Sequence, residues 1–331
     1  MADVQKYFEK FHAAIRADYE MNETLRDKRD IIVNLVKGSL KEKNHPTCEV
    51  LLQGSYKVGT GIRMIEKLEY DIDVGLRFAF NSTEHAPETV RSWVFEAVDG
   101  HTKSVEEMGP CIRVNYSDNY HVDLVCYACW NDSNDVKQYR LAHKTNGWRP
   151  ADPPAMLEIV RTAREKFKGT EDGETTTDQL RRVVRYLKRW NDEAIPFEAE
   201  YKATGLAWLL LTINGLSPVK KWDGIPDDRS ALEYLASNTA SIIGRLSLKK
   251  PVPEYEDVFG RINDEEGAKL KDRFGKMRDA LISANQEIDP VKACTILRGV
   301  FGRDFPIPEP EDTAKKTYGP AIVTSSSSAG R

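Results

Sequence analysis

The segment from Leu52 to Phe78, "LQGSYKVGTGIRMIEKLEYDIDVGLRF", decides the fold class of this chain. Its second half alternates, because every second residue from Tyr70 to Phe78 is apolar and the residues between them include Asp71 and Asp73. A period of two predicts a β-strand with one buried face. Asp71 and Asp73 are two positions apart, so the pattern places both carboxylates on the open face of that strand.

The composition is typical of a soluble globular protein. The 331 residues carry a net charge of −4, with 40% hydrophobic and 30% charged residues, which is enough for one large domain or two ordinary ones. This charge argues against a protein built as a whole to bind nucleic acid or an anionic membrane. The cysteines are few, odd in number (5) and scattered, which favours a reducing compartment over a disulfide framework. The start "MADVQKYFEK" lacks a secretory signal and the run "GLAWLLLTI" is too short to span a bilayer, so we expect a cytoplasmic protein.

The hydrophobic pattern predicts an α/β amino-terminal lobe followed by a helical lobe. Residues 4–43 are predicted to be helical with a break near Met21 and Asn22, and "CEVLLQ" is predicted to be a strand. The segments "CIRVNY" and "HVDLVCYA", joined at "SDN", are typical of a hairpin. The segment 146–156, "NGWRPADPPAM", is rich in turn residues and is predicted to be a loop, and the signals from about Thr175 to Phe305 are nearly all helical.

The chain ends in a segment with few large apolar residues. From Ile307 onward it is rich in Pro, Ser and charge, which predicts disorder. We therefore expect a core with amino-terminal helices at 1–165, a helical lobe at 166–306 and a disordered tail at 307–331.

A third acidic residue, Asp123, lies in "YHVDLVCY" between the apolar residues Val122 and Leu124. If its strand neighbours the strand of Asp71 and Asp73, three carboxylates converge on one open sheet face. Two unit charges about 4 Å apart repel by roughly 4 kcal/mol at an effective dielectric constant near 20, so such a cluster needs a proton or a cation. Mg²⁺, a hard cation that prefers oxygen ligands, is the usual partner.

Gly54 and Ser55 follow a predicted strand. At such a position, backbone amides and a hydroxyl can close around a phosphate, especially where a helix begins. A phosphate site beside a carboxylate metal site is what nucleotidyl transfer requires. A lone "DID" is often a solvated strand face, and "DxD" also occurs in glycosyltransferases that hold a metal-bound nucleotide sugar. The combination of Gly-Ser, "DID" and a later Asp favours nucleotidyl transfer.

The pattern "GS…DID…VDL" resembles the polymerase-β-like nucleotidyltransferases, and its context resembles the bacterial cGAS/DncV-like enzymes of CBASS anti-phage systems. The supporting segments span about residues 1–306 and are "QGSYKVGT", "YDIDVGL", "GWRPADP", "LRRVVRYLKRWND", "KPVPEYED" and "FGRDFP". The resemblance implies an α+β fold, in which a nucleotidyltransferase lobe with a mixed sheet and helices is followed by a helical lobe, with the active site in the cleft between them. It also implies that Asp71 and Asp73 bind two Mg²⁺ ions, with Mn²⁺ as an alternative. Asp123 would bind the metal that activates the attacking ribose hydroxyl and take its proton, while Gly54 and Ser55 would hold the donor phosphates.

The segment "TTDQLRRVVRYLKRWND" predicts a helix that opens with a capping box formed by Thr176 and Gln179. Its buried stripe is predicted to be Leu180, Val183, Val184 and Leu187. Three basic residues share another face at spacings of three and four, namely Arg181, Arg185 and Lys188. Arg182 and Arg189 are expected to be solvated.

The resemblance also assigns nucleotide-binding residues in the helical lobe. Lys188, two residues before Trp190, matches a Lys that reaches the triphosphate in the family, and Lys202 and Thr204 lie where relatives carry a Lys/Ser pair near the donor phosphates. Candidate base contacts are Tyr56, Asn146 and Trp148. The thiols of "CYAC" are interpreted as core packing, and His143 is not supported as a metal ligand.

The resemblance implies a nucleotidyltransferase that joins nucleoside triphosphates, ATP and/or GTP, into a cyclic di- or trinucleotide second messenger that a separate effector protein senses. No DNA or RNA activator and no membrane is expected. Operon-encoded conjugation or regulatory proteins that act on the tail, which ends at Gly330 and Arg331, are candidate partners. Two alternatives stay open: an enzyme that adds nucleotides to RNA or protein, as toxins do, and a catalytically silent nucleotide-binding module.

Overall fold

The protein is described here by a computed structural model that covers residues 2–17, 19–63, 65, 70–117, 120–194 and 202–309. The helices are α1 (Gln5–Ile15), α2 (Tyr19–Glu42), α3 (Gly54–Val58), α4 (Pro87–Val98), α5 (Pro153–Glu165), α6 (Gln179–Ala194), α7 (Gly205–Gly215), α8 (Asp228–Ala240), α9 (Asp264–Gln286) and α10 (Pro290–Phe301). The strands are β1 (Cys48–Leu52), β2 (Tyr70–Phe78), β3 (Ser104–Glu107), β4 (Ile112–Tyr116), β5 (Tyr120–Asn131), β6 (Lys137–His143) and β7 (Gly147–Pro150).

The strands form one mixed sheet. Its main path is β1-β2-β5-β4-β3, and the second half of β5 pairs with β6, which pairs with β7. Only β2 and β5 pair in parallel within this sheet, whereas its other pairs are antiparallel. The apolar residues of β2 are fully buried under α2 and α4, as the alternation predicts: Ile72, Val74, Leu76 and Phe78.

The register of β4, β5 and β2 positions the predicted carboxylates. β4 and β5 form the expected hairpin, in which Arg113 pairs with Asp123. In the parallel ladder between β2 and β5, Asp73 lies directly beside Asp123. The prediction that the two acidic strands are neighbours is therefore confirmed.

The helical part has a second core. The predicted stripe of α6 is confirmed, since Leu180, Val183, Val184 and Leu187 are all fully buried there. α1 joins the same core, because Phe11 stacks on Tyr186 with 5.3 Å between ring centroids. The first helix of the chain thus packs on the carboxy-terminal half. The domain boundaries at 165 and 306 remain predictions, and residues 310–331 of the predicted tail lie outside the described part of the chain.

The predicted helix break at Met21 and Asn22 is wrong. α1 already ends at Ile15, where Arg16 turns to an extended conformation and forms an isolated β-bridge with Ile62. α2 then begins at Tyr19 and continues through Met21 and Asn22. The break is set by pairing with a segment more than forty residues away along the chain, which local helical spacing does not report.

The segment 146–156 is not a loop. Gly147, at a φ of +66°, allows the turn that pairs β7 with β6. Asp152 then accepts a hydrogen bond from the backbone amide of Ala155 at 2.9 Å and caps α5, which begins with Pro153. The turn residues of this segment therefore mark the two ends of regular elements.

The predicted start of α6 is also wrong. Thr176 lies three residues before the first helical residue, Gln179. The side chain of Asp178 accepts a hydrogen bond from the backbone amide of Arg181 at 3.0 Å, which is the geometry of a helix cap.

The prediction that Arg182 and Arg189 are solvated is wrong as well. Arg182 is fully buried and forms two hydrogen bonds of 2.7 Å to the carboxylate of Asp228. Arg189 is 2% exposed and pairs with Asp304 at 3.3 Å. Both arginines therefore hold other helical-lobe segments on α6.

In the described part of the chain, no helix is long and apolar enough to cross a membrane.

Candidate active site

A cavity of about 530 Å³ opens between the sheet and the helical part. Its walls come from α3, β2, β5, the amino end of α5, α6, α7 and the segment 250–254. Six residues predicted to bind phosphate, metal or base line it: Gly54, Ser55, Tyr56, Asp73, Lys188 and Lys202. The structure therefore brings together residues that are up to 148 positions apart in the sequence.

Gly54 lies where the backbone and a predicted metal ligand approach most closely. It is the first residue of α3, immediately after β1, and has a φ of +66°. A Cβ atom built on Gly54 would lie 1.8 Å from Oδ2 of Asp73. The preceding residue, Gln53, accepts a hydrogen bond from the Tyr127 hydroxyl at 3.0 Å, which fixes the start of α3 against β5. Only glycine leaves room for the Asp73 carboxylate at this position.

Asp73, Asp123 and Arg113 form one row across β2, β5 and β4. Arg113 donates from Nε to Oδ1 of Asp123 at 2.8 Å and from Nη2 to Oδ2 at 2.7 Å. Burial and the charge of Asp123 raise the pKa of Asp73 to about 6, against the opposing effects of Lys188 and Arg113. Asp73 is thus harder to ionise than an ordinary aspartate, and a bound cation would relieve this penalty.

The donor chemistry of this row fits a hard divalent cation. Asp73 and Asp123 offer carboxylate oxygens, the ligands that Mg²⁺ and Mn²⁺ prefer. The backbone of Asp71 pairs with His121 in the next row, and its side chain lies outside what the structure describes. Among the described residues, no group of three His, Cys, Asp or Glu side chains is arranged to hold a metal. The role of Asp71 as the third ligand therefore remains a prediction.

Lys188 lies on the opposite wall of the cavity and contacts the segment that follows α3. Its Nζ donates to the backbone oxygen of Thr60 at 2.9 Å. One turn earlier, Arg185 donates to the backbone oxygen of Gly61 at 3.0 Å. Gly205 gives Lys188 room, since a Cβ at Gly205 would lie 2.9 Å from Cε of Lys188. α6 thus holds residues 60–61 with cationic groups and presents Lys188 at the cavity.

Lys202 and Thr204 have different surroundings. Lys202 lines the cavity and pairs with Asp192 at 2.7 Å. Thr204 is exposed and caps α7, since its hydroxyl accepts from the backbone amide of Ala207 at 3.3 Å. It is not among the described residues that line the cavity. A role for Thr204 at the donor phosphates remains a prediction.

The candidate base contacts differ in whether they line the cavity. Tyr56 lines the cavity, whereas Asn146 and Trp148 are not among its described lining residues. Trp148 donates from Nε1 to the backbone oxygen of His85 at 3.0 Å and packs against the core of the sheet. Cys126 and Cys129 are buried, in agreement with their interpretation as packing residues.

Sequence reasoning did not single out several cavity residues, three of which have unusual surroundings. Asn191 is 1% exposed, and its Oδ1 has no hydrogen-bond partner among the described residues. It follows Lys188 by three positions, so helical spacing could have placed it on the same face. Lys250 and Glu254 line the cavity from a connection and lie 3.2 Å apart, and Glu254 has a φ of 81° that a non-glycine residue rarely adopts. A strained backbone at a cavity wall favours a functional role, and "KPVPEYED" supports the family resemblance without singling out either residue.

Residues 48–127 match a family model described as "Cyclic GMP-AMP synthase DncV-like, nucleotidyltransferase domain". This part of the chain is similar to the DncV-like nucleotidyltransferase domain. The matched segment contains Gly54, Ser55, Asp73 and Asp123. The resemblance of the sequence motifs to the DncV-like nucleotidyltransferases is therefore confirmed, whereas a role in CBASS anti-phage systems remains a prediction.

Two curated relatives are cyclic dinucleotide synthases by name. The chain is 26% identical over 172 residues to a cyclic GMP-AMP synthase of Escherichia albertii, which covers 49% of this chain and 36% of that protein. It is 30% identical over 80 residues to a c-di-GMP synthase of Roseivirga ehrenbergii, which covers 23% of this chain and 21% of that protein. These matches span about a third of the relatives' length or less.

Solved structures of the DncV-like nucleotidyltransferases share the whole fold. Vibrio cholerae DncV cyclic AMP-GMP synthase, in complex with the linear intermediate 5′ pppA(3′,5′)pG, matches with a TM-score of 0.72 and 14% identity over 90% of this chain and 96% of that chain. Escherichia coli MS115-1 CdnC with ATP matches with a TM-score of 0.66 and 16% identity over 91% and 98%. These matches confirm the α+β fold with a nucleotidyltransferase lobe and a helical lobe.

Proposed function

We propose that this protein is a metal-dependent nucleotidyltransferase that joins nucleoside triphosphates, ATP and/or GTP, into a cyclic di- or trinucleotide and releases pyrophosphate. One observation carries the proposal: Asp73 and Asp123 lie side by side on neighbouring strands and Asp73 packs against Gly54, within a DncV-like nucleotidyltransferase domain. The two curated relatives are cyclic dinucleotide synthases by name, which supports the same activity for this chain.

The residues that line the cavity, and Asp123 beside Asp73 in the sheet, have separate roles in this reaction. The Ser55 hydroxyl and the first amides of α3 bind the phosphates of the donor. Lys188 approaches from α6 and adds positive charge at the triphosphate. Asp123 orients the attacking ribose hydroxyl and takes its proton, and Tyr56 offers an aromatic face to a base. A cation held by Asp73, Asp123 and Asp71, as Mg²⁺ or Mn²⁺, would lower the pKa of that hydroxyl and offset the charge of the leaving pyrophosphate.

The volume of the cavity suits a nucleotide substrate. About 530 Å³ lies within the range of pockets that hold ligands of this size. Two ion pairs place charged groups around the space between α6 and the segment 250–254: Lys202 with Asp192, and Lys250 with Glu254. We propose that Lys202 binds the donor phosphates. The same role for Thr204 rests only on its position in the sequence, two residues after Lys202.

The wider role is proposed from the resemblance of the sequence motifs to the CBASS enzymes. We propose that the product is a second messenger of anti-phage defence, made in the cytoplasm and sensed by a separate effector protein. One structural relative, Escherichia coli MS115-1 CdnC, was solved as a complex with HORMA-deltaN, at a TM-score of 0.66 and 14% identity. We propose that regulatory proteins also act on this chain, with the segment 307–331 as the candidate point of conjugation.

Labelled ATP and GTP, incubated with the purified protein and Mg²⁺, test the activity. We expect pyrophosphate release and a small product that resists phosphatase, and we expect neither from Asp73→Asn. Product that forms only after RNA or a second protein is added would instead show transfer to a macromolecule. The absence of pyrophosphate release with both Mg²⁺ and Mn²⁺ would show a silent nucleotide-binding module.

A further inference from the structure

Arg113 engages both oxygens of the carboxylate that the proposed reaction needs. Its guanidinium donates to Oδ1 and Oδ2 of Asp123 at 2.8 and 2.7 Å, so the pair has the parallel two-bond geometry of the strongest ion pairs. Arg113 and Asp123 are directly opposite each other in the β4–β5 ladder, which fixes both side chains on one sheet face. The sequence motifs do not include Arg113.

The burial of the pair makes it strong. The Asp123 side chain is 8% exposed and the Arg113 side chain is 26% exposed. A buried negative charge with Asp73 beside it in the ladder needs a cationic partner to offset its lost hydration. In the cation-free protein, Arg113 supplies that positive charge and holds the Asp123 carboxylate in a single orientation.

The same contact conflicts with metal binding at Asp123. A guanidinium that bridges both oxygens occupies the position from which a divalent cation would approach them, and the two positive groups repel each other. A cation that binds Asp123 must therefore either share the carboxylate with Arg113 or displace the guanidinium from an oxygen, and the guanidinium charge opposes both. Such competition lowers the affinity of the empty site for free cations.

We propose that Arg113 is a positioning residue that competes with the divalent cation for Asp123, an inference that rests on the proposed function. In the cation-free protein Arg113 orients Asp123, and a cation displaces the guanidinium from one or both oxygens. A triphosphate contributes negative charge that offsets this displacement, so cation and nucleotide enter the site together. The site thus stays weak for cations until the substrate is present.

Mn²⁺ binding to the nucleotide-free protein tests this competition. Free Mn²⁺ is measured by electron paramagnetic resonance during titration of the full chain, the Arg113→Met variant and the charge-conserving Arg113→Lys variant. A neighbouring charge shifts a carboxylate's proton affinity by about one to three pKa units, and the same electrostatics predicts that Arg113→Met binds Mn²⁺ about tenfold more tightly. Arg113→Lys should stay within about threefold of the unchanged protein, because the positive charge remains.

Arg77 provides the matched control. Its side chain is also 26% exposed and pairs with a carboxylate, that of Glu49 on β1. Arg77 and Glu49 pair in the β1–β2 ladder, outside the row that Asp73, Asp123 and Arg113 form. The Arg77→Met variant should therefore bind Mn²⁺ with unchanged affinity, whereas a merely structural role of Arg113 would weaken the site.

The outcomes separate this inference from the proposed function. Equal or weaker Mn²⁺ affinity in a folded Arg113→Met variant, or no Mn²⁺ binding by it, overturns the competition even if the unchanged protein releases pyrophosphate. Failure of the unchanged protein to release pyrophosphate overturns the proposed function, and the Mn²⁺ titration still decides the competition. If Arg113→Met does not fold, Arg113→Gln is titrated with the same expected direction and the same overturning result.

Discussion

Replacement of Gly54 by alanine tests how closely the start of α3, the proposed phosphate site, packs against Asp73. The added Cβ would lie 1.8 Å from Oδ2 of Asp73 and 2.7 Å from its Cγ. Asp73 belongs to the central parallel ladder beside Asp123, so the strand itself resists movement. We expect the Asp73 carboxylate to rotate away from the cavity wall.

The size of the effect follows from these distances. Ordinary contacts begin near 3.4 Å, so Oδ2 must retreat by about 1.6 Å, and a misplacement of about 1 Å at a reacting centre costs roughly 100-fold in rate. The φ of +66° adds a backbone penalty of about 1–2 kcal/mol to the free energy of folding. We therefore expect Gly54→Ala to lose at least about 100-fold in kcat and to melt only a few degrees lower.

Gly147→Ala is the matched control for the backbone penalty. Gly147 also has a φ of +66°, and no atom of the described residues lies within 4 Å of a Cβ built there. Initial rates of pyrophosphate release at saturating ATP and GTP, with melting temperatures from differential scanning fluorimetry, compare the two variants. They should lose similar stability, but only Gly54→Ala should lose activity. Gly54→Ala with the activity of Gly147→Ala would refute the reasoning.

Three further changes probe charged groups. The fold raises the pKa of Asp73 from 3.8 to about 6, so protonation of Asp73 stabilises the folded state below about pH 4. Without divalent cations, up to about 3 kcal/mol of the free energy of unfolding should be lost as the pH rises through about 6. Urea denaturation should show this fall in the unchanged protein relative to Asp73→Asn, and a difference independent of pH would contradict it. Lys188→Ala should raise the KM for triphosphate about tenfold with little change in melting temperature, whereas a large loss of stability at unchanged KM would make Lys188 structural. Arg182→Met should lower the free energy of unfolding, measured by urea denaturation, by about 3–5 kcal/mol, because it leaves Asp228 buried without a cationic partner. Adding Asp228→Asn should recover part of this loss. A loss below about 1 kcal/mol would contradict the prediction.

Four strands of the sheet, β1, β2, β4 and β5, could be predicted from sequence because their signals are local. The alternation from Tyr70 to Phe78 indicates which residues of β2 are buried, and the closeness of the β4 and β5 segments in the sequence favours their pairing. The position of Asp123 beside Asp73 then needs one further step, the parallel pairing of β2 with β5. Periodicity alone does not show which strands are neighbours, so this pairing stays conditional until the structure is known.

The buried arginines show where local patterns fail. Arg182 lies on α6 among basic residues, which is typical of a solvated face, yet its partner Asp228 is 46 positions further along the chain. The helix break was misplaced for the same reason, because the bridge between Arg16 and Ile62 is a tertiary contact. A charged residue's surroundings depend on partners that no window of the sequence contains.

The candidate site divides in a similar way. Gly54, Ser55, Asp73 and Asp123 carry motif signals, and the structure places them together. The ion pair of Arg113 with Asp123 and the unpartnered amide oxygen of Asn191 depend on side-chain packing that becomes visible only in three dimensions.

Mass spectrometry of the products made from ATP and GTP with Mg²⁺ tests the central claim most directly. The account predicts a cyclic oligonucleotide whose mass equals that of its nucleoside triphosphates less one pyrophosphate for each linkage, with no terminal phosphate. Asp73→Asn and Asp123→Asn, each with an intact melting transition, should make none of it. A cyclic product from either variant at the rate of the unchanged protein, or only linear products from the unchanged protein, would contradict the account.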